Sequence, residues 1–276
     1  MLIVCNGMKR AGSTLQYNLV LSLINKTGAG KAERVIAAAE FDSMSEQFEE
    51  WGRDESLHVI KSHELLPHTE EMLAKGTLRV CYIYRDIRDV AGSVRNKFGR
   101  EGAELMRILD EAVELYYEIA KMNNVLIQRY ENVIDNLPGA AREIAEYLGI
   151  EANDDLIAEV ARDNSVEKSK EAAQATSRNL YVKVKSCALR MGKALRVKNL
   201  MHKLGMSKAR LARIKMSMAP VDSRTLFHAG HISKHKGSAG SWRREMTKDE
   251  IEEIGTRFKK WLQDTNYTCC GEQLES

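Results

Sequence analysis

Short apolar runs and longer segments with helical periodicity alternate along the first half of the chain. Runs with the length and composition of strands occupy residues 2–5, 58–61, 80–84 and 125–129. Because apolar residues in these runs hardly alternate with polar ones, we expect both faces of each strand to be covered, as in a parallel sheet. The pattern therefore predicts an α/β fold of three layers, in which helices flank a central parallel sheet.

Periodicity and capping residues mark the helices. One helix is predicted from about residue 13 to residue 24, and another between Pro138 and Gly149, because proline favours helix starts and glycine favours helix ends. Thr247 and Glu250 form a capping box that predicts the start of the last helix. One apolar stripe follows the third predicted strand and indicates a helix that packs on the core: Leu105, Leu109, Ala112, Tyr116 and Ile119.

The segment 167–227 breaks this regular alternation. It is rich in lysine and arginine, above all between residues 183 and 215, and it is interrupted by Gly192, Gly205 and Pro220. We predict a helical insertion over the sheet instead of a separate domain, so that the whole chain of 276 residues forms a single domain. The basic side chains suit a lid or wall beside a bound substrate, although a membrane surface or an acidic partner would also attract them.

Composition narrows the choice of function. The chain has 43% hydrophobic and 29% charged residues, as in an ordinary globular protein, and its net charge of +3 is too small to indicate a nucleic-acid partner. The N-terminus has no signal-peptide pattern, and no run of about 18 apolar residues follows, so we expect a cytoplasmic protein without stable membrane insertion. The five cysteines show neither metal-ligand nor disulfide spacing, which favours reduced thiols.

The strongest candidate for chemistry is the segment 7–14, which follows the first predicted strand and reads GMKRAGST. A turn at this place directs backbone N–H groups and the positive end of the helix dipole at an anion. Its spacing imitates the phosphate loop of nucleotide triphosphatases, but Ser13 stands where that motif requires lysine, which argues against binding of a γ-phosphate. The simpler alternative is a strand–helix turn with a serine cap. The glycines of residues 28–31 lack the motif's spacing and predict only a loop.

A second candidate phosphate site follows the third predicted strand. Arg85 comes directly after this strand, and Ser93 follows eight residues later. An arginine fork at a strand end and a hydroxyl on the next helix can converge on a second phosphate. In the alternative interpretation, Arg85 and Arg88 form surface ion pairs with Asp86 and Asp89.

These two motifs and three others occur in the order found in the sulfotransferase superfamily, which the chain resembles over residues 2–150 and 230–263. The matching elements are the 5′-phosphosulfate loop at Arg10 and Gly12-Ser13-Thr14, the Lys-Thr-His element at Lys61-Ser62-His63, the 3′-phosphate motif at Arg85 and Ser93, the Tyr-Glu element at Tyr130-Glu131, and the late Arg-Lys-Gly and Gly-Asp-Trp element at residues 235–242. The chain differs from the family by having Arg10 for lysine, His235 for arginine and Ser241 for aspartate. The resemblance implies a P-loop-like fold.

The resemblance also implies a cosubstrate and residue roles. The sulfuryl donor would be 3′-phosphoadenosine 5′-phosphosulfate (PAPS), the product adenosine 3′,5′-bisphosphate (PAP), and no metal would be required. Residues expected to bind the nucleotide are Lys9, Arg10, Ala11, Gly12, Ser13, Thr14, Arg85, Ser93, Tyr130, Ser165, His235, Lys236 and Gly237. Lys61, with either Lys9 or Arg10, would neutralise the sulfuryl and departing phosphate oxygens. His63 is the expected general base, because a neutral imidazole can accept the proton of the acceptor.

The predicted function is therefore transfer of a sulfuryl group from PAPS to a hydroxyl or amino group of a small polar acceptor. Resemblance to chains of bacterial secondary metabolism suggests a guanidinium alkaloid or a sugar. Two other functions stay open at this point. An ATP-dependent small-molecule kinase fits the phosphate loop, but the chain lacks the loop lysine and a clear magnesium ligand. A basic module that binds membranes or nucleic acids would depend on residues 183–215. His228, His231 and His235 have no cysteines or paired carboxylates nearby, so we do not expect a metal site.

Overall fold

Five parallel strands form the centre of the molecule. The computed structural model describes residues 1–165, 167, 168, 171 and 238–267. Its strands are β1 (Leu2–Gly7), β2 (Gly30–Val35), β3 (Leu57–Lys61), β4 (Leu78–Tyr84) and β5 (Val125–Arg129). Their order in the sheet is β2-β3-β1-β4-β5, and all neighbouring strands are parallel. The predicted α/β fold with a central parallel sheet is confirmed.

Helices cover both faces of this sheet. In chain order they are α1 (Ser13–Thr27), α2 (Ser45–Arg53), α3 (Thr69–Ala74), α4 (Ile87–Phe98), α5 (Gly102–Ala120), α6 (Tyr130–Asp135), α7 (Leu137–Leu148), α8 (Asp154–Asp163), α9 (Trp242–Glu245), α10 (Lys248–Arg257) and α11 (Lys259–Asp264). Helices α1, α7 and α8 pack on one face, around Ile3 and Ile83. On the other face, α2 and α3 pack around Ile60, while α4, α5 and the last three helices pack around Tyr82. The sheet thus carries two apolar faces, as its sequence pattern predicts.

Local capping explains where several helices begin and end. The Asn136 side chain accepts a hydrogen bond from the Gly139 backbone N–H (3.0 Å) at the start of α7, and Gly149 ends that helix in the left-handed conformation (φ 70°). Thr247 and Glu250 form the predicted capping box of α10. The segment predicted as one final helix is divided in two, because α10 ends at Arg257 and α11 begins at Lys259.

The strand β2 corrects the sequence-based prediction, which placed a loop over residues 28–31. Gly28 does end α1 in the left-handed conformation (φ 69°), but Gly30 and Lys31 already pair with β3. A Cβ atom at Gly30 would lie 2.0 Å from the Leu57 carbonyl oxygen, so this glycine permits close strand pairing. The strand escaped prediction because it lies at the sheet edge and carries charged residues instead of an apolar run.

The parallel strands bring the candidate motifs together at the carboxyl end of the sheet. After β1 the chain forms β2 and β3 on one side of that strand, and later β4 and β5 on the other side. A crevice at the carboxyl end of the strands, where the connections diverge, is the usual ligand site of open α/β sheets. Three candidate elements lie at this end of the sheet: the loop after β1, Lys61 at the end of β3, and Arg85 after β4.

The predicted insertion at 167–227 lies outside the described residues, apart from residues 167, 168 and 171. The insertion and the single-domain organisation therefore stay predictions. Among the helices of the described residues, none combines the length and the apolar character that crossing a bilayer requires.

Candidate active site

The loop after β1 has a defined backbone path that exposes one basic side chain and turns a second inward. The Met8 N–H donates to the Ile83 carbonyl oxygen (3.1 Å), and the Ala11 N–H donates to the Met8 carbonyl oxygen (3.0 Å). Met8 and Ala11 are buried, whereas Lys9 is exposed and Arg10 is half-buried. Arg10 adopts a left-handed backbone (φ 71°), which is uncommon for a residue with a side chain and often marks a functional site.

The N-terminus of α1 lies directly behind this loop. Gly12 precedes the helix in the left-handed conformation (φ 91°), and no side chain caps the helix start. The serine-cap alternative is therefore wrong. The first backbone N–H groups of a helix, here those of Ser13 and Thr14, have no carbonyl partner within the helix and carry its positive dipole end. A Cβ atom at Gly12 would lie 2.4 Å from Tyr130 Cδ2, so only glycine fits beneath this ring. The arrangement suits a phosphate.

Lys61 reaches the same helix turn from β3. Its side chain is buried, and its Nζ donates a hydrogen bond to Thr14 Oγ1 (2.6 Å). Burial lowers the pKa of Lys61 to about 8, and the Arg10 guanidinium contributes to the decrease. The structure thus places an ammonium group at the first turn of α1, where the sequence predicts a phosphate.

His63 follows two residues later, and its ring orientation is fixed by the backbone. Its Nδ1 lies 3.0 Å from the Gly7 carbonyl oxygen. Because a carbonyl oxygen can only accept, Nδ1 carries the hydrogen and Nε2 keeps a free lone pair. Burial, followed by the charge of Lys61, lowers the pKa of His63 to about 4. The imidazole is therefore neutral near pH 7, which is the state a general base needs.

Arg10 turns toward α4. Its Nε donates to Ser93 Oγ (3.0 Å), so the loop arginine and the serine of the second motif are in direct contact. Burial and the nearby charge of Arg85 lower the pKa of Arg10. Two guanidinium groups held close together repel each other, and an anion between them would relieve this repulsion. The structure groups Arg10 with Arg85 and Ser93.

Arg85 is itself buried and held by three groups. Its Nη2 donates to Asp89 Oδ2 (3.1 Å) and to the Ser238 carbonyl oxygen (2.8 Å). The Tyr130 ring lies against its guanidinium, with 4.5 Å between Cζ and the ring centroid. Its Nε is buried and has no hydrogen-bond acceptor in the part of the chain that the structure describes. A phosphate oxygen would supply the missing acceptor.

The alternative interpretation of the second motif was right about pairing and wrong about position. Arg88 donates from Nε to Asp86 Oδ1 (2.9 Å) and from Nη2 to Asp86 Oδ2 (2.7 Å), and Arg85 pairs with Asp89. All four side chains are buried, so these are not surface ion pairs. Pairing with Asp89 does not remove Arg85 from the candidate site, since Tyr130 and Arg10 remain beside it.

Of the predicted nucleotide-binding residues, Ser165 is not brought to this cluster, and three others are not among the residues that the structure describes. Ser165 follows α8, and its Oγ accepts a hydrogen bond from the Lys168 N–H (3.3 Å). The neighbouring Asn164 donates to Ser22 Oγ (2.8 Å), which lies more than two helix turns beyond the start of α1. The other three residues, His235, Lys236 and Gly237, lie outside the described residues.

Sequence reasoning missed Asp89 as a member of the site. Its carboxylate accepts hydrogen bonds from Arg85 and from Gly240, Ser241 and Trp242. The sequence analysis named Asp89 only in the alternative ion pairing of Arg85 and Arg88 with Asp86 and Asp89, and the spacing of four residues was the signal for its contact with Arg85. Within the described residues, no group of three or more histidine, cysteine, aspartate or glutamate side chains is arranged to hold a metal ion. Cys5 and Cys81, both predicted inside strands, are buried free thiols in β1 and β4.

Comparisons with known proteins agree with this geometry. A family model described as a sulfotransferase domain matches residues 2–209. The mouse sulfotransferase SULT7A1, solved in complex with PAP, has 16% sequence identity over 96% of this chain and 85% of its own, with a TM-score of 0.55. Retinol dehydratase, solved with androsterone and inactive cofactor PAP, has 16% identity over 100% of this chain and 83% of its own, with a TM-score of 0.51. No curated protein gives a significant match.

The two structural likenesses establish only the fold, because the sequence identity is low. The family model covers far more than half of the chain and includes the loop after β1, Lys61, His63 and the Arg85–Ser93 motif. The chain therefore belongs to the sulfotransferase family, and it is a PAPS-dependent sulfotransferase.

Proposed function

We propose that the protein transfers the sulfuryl group of PAPS to a hydroxyl or amino group of a small polar acceptor, such as a guanidinium alkaloid or a sugar. The observation that carries the proposal is the position of His63, with a free Nε2 lone pair, two residues after the buried ammonium of Lys61. A base and a cation side by side are what deprotonation of an acceptor and stabilisation of a transferring anionic group require. The cytoplasmic location stays a prediction.

The nucleotide roles follow from the two anion sites. The first turn of α1, at residues 12–14, offers N–H groups to the 5′-phosphate, and the cluster of Arg10, Arg85 and Ser93 offers guanidinium and hydroxyl groups to the 3′-phosphate. The uncapped start of α1 supports this fit, as does Arg85 Nε, which has no acceptor among the residues that the structure describes. In this assignment Arg10 belongs to the 3′-phosphate, which leaves Lys61 and Lys9 for the sulfuryl oxygens.

The chain's own residues would then divide the chemistry between them. PAPS supplies the sulfuryl group and brings negative charge close to the loop. Lys61 neutralises charge that develops on the departing phosphate oxygen. His63 takes the acceptor proton on Nε2, while the Gly7 carbonyl holds Nδ1–H and stabilises the imidazolium that forms. Burial and, after it, the charge of Lys61 lower the pKa of His63, and an anion bound beside Lys61 would offset the second of these causes and make the histidine a stronger base.

Binding measurements with three nucleotides test the proposal. We expect PAP to bind without metal and more tightly than adenosine 5′-phosphate or ATP with Mg²⁺, measured by calorimetry and by the rise in melting temperature. A preference for ATP with Mg²⁺ would contradict the assignment and favour a kinase. Incubation with PAPS and a panel of alcohols and amines, followed by mass spectrometry, would identify the acceptor class.

A variant of Arg85 tests the proposed binding of the 3′-phosphate. Arg85→Ala removes a charge-assisted partner, so the dissociation constant of PAP should rise about 30-fold or more, while that of adenosine 5′-phosphate should change little. Equal losses for the two nucleotides would move the 3′-phosphate away from Arg85.

A further inference from the structure

One buried carboxylate connects the cluster of Arg10, Arg85 and Ser93, called the nucleotide cluster below, to residues 240–242. Asp89 lies on α4, one turn after Arg85, and its side chain is fully buried. Its Oδ2 accepts from Arg85 Nη2 (3.1 Å) and from the Gly240 N–H (2.8 Å). Its Oδ1 accepts from Ser241 Oγ (3.0 Å) and from the Trp242 N–H (2.9 Å). Four donors therefore satisfy the carboxylate, and three of them come from a segment about 150 residues away.

The same segment also holds Arg85 directly. The Ser238 carbonyl oxygen accepts from Arg85 Nη2 (2.8 Å), so Arg85, Asp89 and residues 238–242 form one closed hydrogen-bonded unit. Both Nη2 contacts fix the plane of the guanidinium, while Nε stays without an acceptor among the described residues. A buried ion pair is sensitive to loss of either partner, because the remaining charge is left uncompensated.

We propose that Asp89 is a positioning residue, which holds Arg85 and residues 238–242 in the arrangement that recognises a 3′-phosphate and so makes the enzyme prefer adenosine 3′,5′-bisphosphates to adenosine 5′-phosphates. This inference rests on the proposed function, in which Arg85 binds the 3′-phosphate. Asp89 acts through Arg85 and does not itself contact the nucleotide. Like the phosphate it helps to bind, it is an anion, so its benefit must come from orientation and must outweigh its repulsion of the ligand.

A positioning role and a purely structural role of Asp89 predict different nucleotide-binding results. A carboxylate that only anchored α9 would affect folding stability and would weaken all nucleotides alike. A carboxylate that orients Arg85 affects the ratio of two dissociation constants, that of PAP and that of adenosine 5′-phosphate. This ratio is the readout that separates the two roles.

Asp89→Asn keeps the shape of the side chain and places an amide nitrogen against backbone or side-chain donors. At the Oδ2 position it faces Arg85 Nη2 and the Gly240 N–H, and at the Oδ1 position it faces the Trp242 N–H. We expect the dissociation constant of PAP to rise about 30-fold or more and that of adenosine 5′-phosphate to change less than about threefold. Asp86→Asn is the matched control, since Asp86 is also a buried carboxylate and pairs with Arg88. This control should lower the melting temperature without changing the ratio.

Ser241→Ala covers the case in which Asp89→Asn does not fold. It removes one hydrogen bond to Asp89 Oδ1 and leaves the ion pair with Arg85 in place. It should lower the preference for PAP in the same direction, by about fivefold. If Arg85→Ala abolishes the preference but both Asp89→Asn and Ser241→Ala keep it, the inference is overturned and the proposed function stands. If the wild-type protein shows no preference for PAP, the proposed function fails as well.

Discussion

Arg10 is the residue at which this chain differs most visibly from the family pattern inside the site. Its left-handed backbone directs the guanidinium to Ser93, and its charge lies close to that of Arg85. A planar guanidinium presents several donors at once, whereas a lysine presents a single point charge. In the proposed assignment, Arg10 therefore adds donors to the 3′-phosphate end of the site and leaves Lys61 as the main buried cation at the sulfuryl end.

The pKa of Lys61 leads us to expect that nucleotide affinity depends on pH. Burial sets this pKa at about 8 in the free protein, and an anion beside the ammonium would raise it. Lys61 is protonated below this value, so PAP affinity should be constant below about pH 7 and should fall as the pH rises through 8. Calorimetry between pH 6.5 and 9.5 measures this, with Lys61→Met as the control that loses affinity and flattens the profile. A wild-type affinity that increased above pH 8 would be incompatible with this role.

His63 carries the prediction for catalysis. His63→Ala should lower kcat by about a hundredfold or more for a hydroxyl acceptor, the usual contribution of a general base, and should leave the dissociation constant of PAP nearly unchanged. An amine that binds in its neutral form needs less help, so a smaller loss with an amino acceptor would indicate N-sulfation. Near wild-type turnover of a hydroxyl acceptor by the folded variant would exclude His63 from proton transfer.

At the scale of the elements, the start of α1 is the most constrained part of the site. Gly12→Ala would require a left-handed alanine, which costs about 1–2 kcal/mol, and would drive its Cβ into the Tyr130 ring 2.4 Å away. The variant should lose both folding stability and PAP affinity, the latter by at least about tenfold. Thermal unfolding and calorimetry measure the two effects.

Gly28→Ala is the matched control at the other end of the same helix. Gly28 is also left-handed (φ 69°), but nothing lies within 4 Å of a Cβ atom placed there. This variant should cost about 1 kcal/mol of stability and leave PAP binding intact. If the two variants bound PAP equally well, the contact between Gly12 and Tyr130 would have no part in nucleotide binding.

The elements also show how far the sequence could predict the site. Lys61, Arg85 and the loop at residues 7–14 follow separate strands, and parallel strands end at one edge, so their convergence was predictable. The edge strand β2 was not, because its charged residues give no apolar signal. The contacts of Asp89 with residues 240–242 join distant parts of the chain, and neither periodicity nor spacing carries information on such pairs.

For the whole molecule, the separation of nucleotide and acceptor functions can be tested by exchange. Residues 167–227 contain no phosphate motif, and the hydrogen bonds of the nucleotide cluster described above are made by residues before 165 and after 237. Replacing 167–227 with the corresponding segment of a relative should change acceptor choice and leave the dissociation constant of PAP within about threefold. Activity assays over an acceptor panel, with calorimetry as the control, measure both. A folded chimera without PAP binding would contradict this division.

The bonds to Asp89 also bear on the continuity of the chain. Within residues 238–267, Trp242, Ile254 and Trp261 are buried in the apolar cluster that also contains side chains of helices α4 and α5. Burial of one such side chain contributes about 1.5–3 kcal/mol. These residues are therefore held by packing and hydrogen bonds as well as by their covalent connection. A chain cleaved between residues 168 and 237 would leave its last segment docked like a peptide ligand on the rest. Residues 238–267 thus interact with the rest of the chain in the way that a separate peptide ligand would.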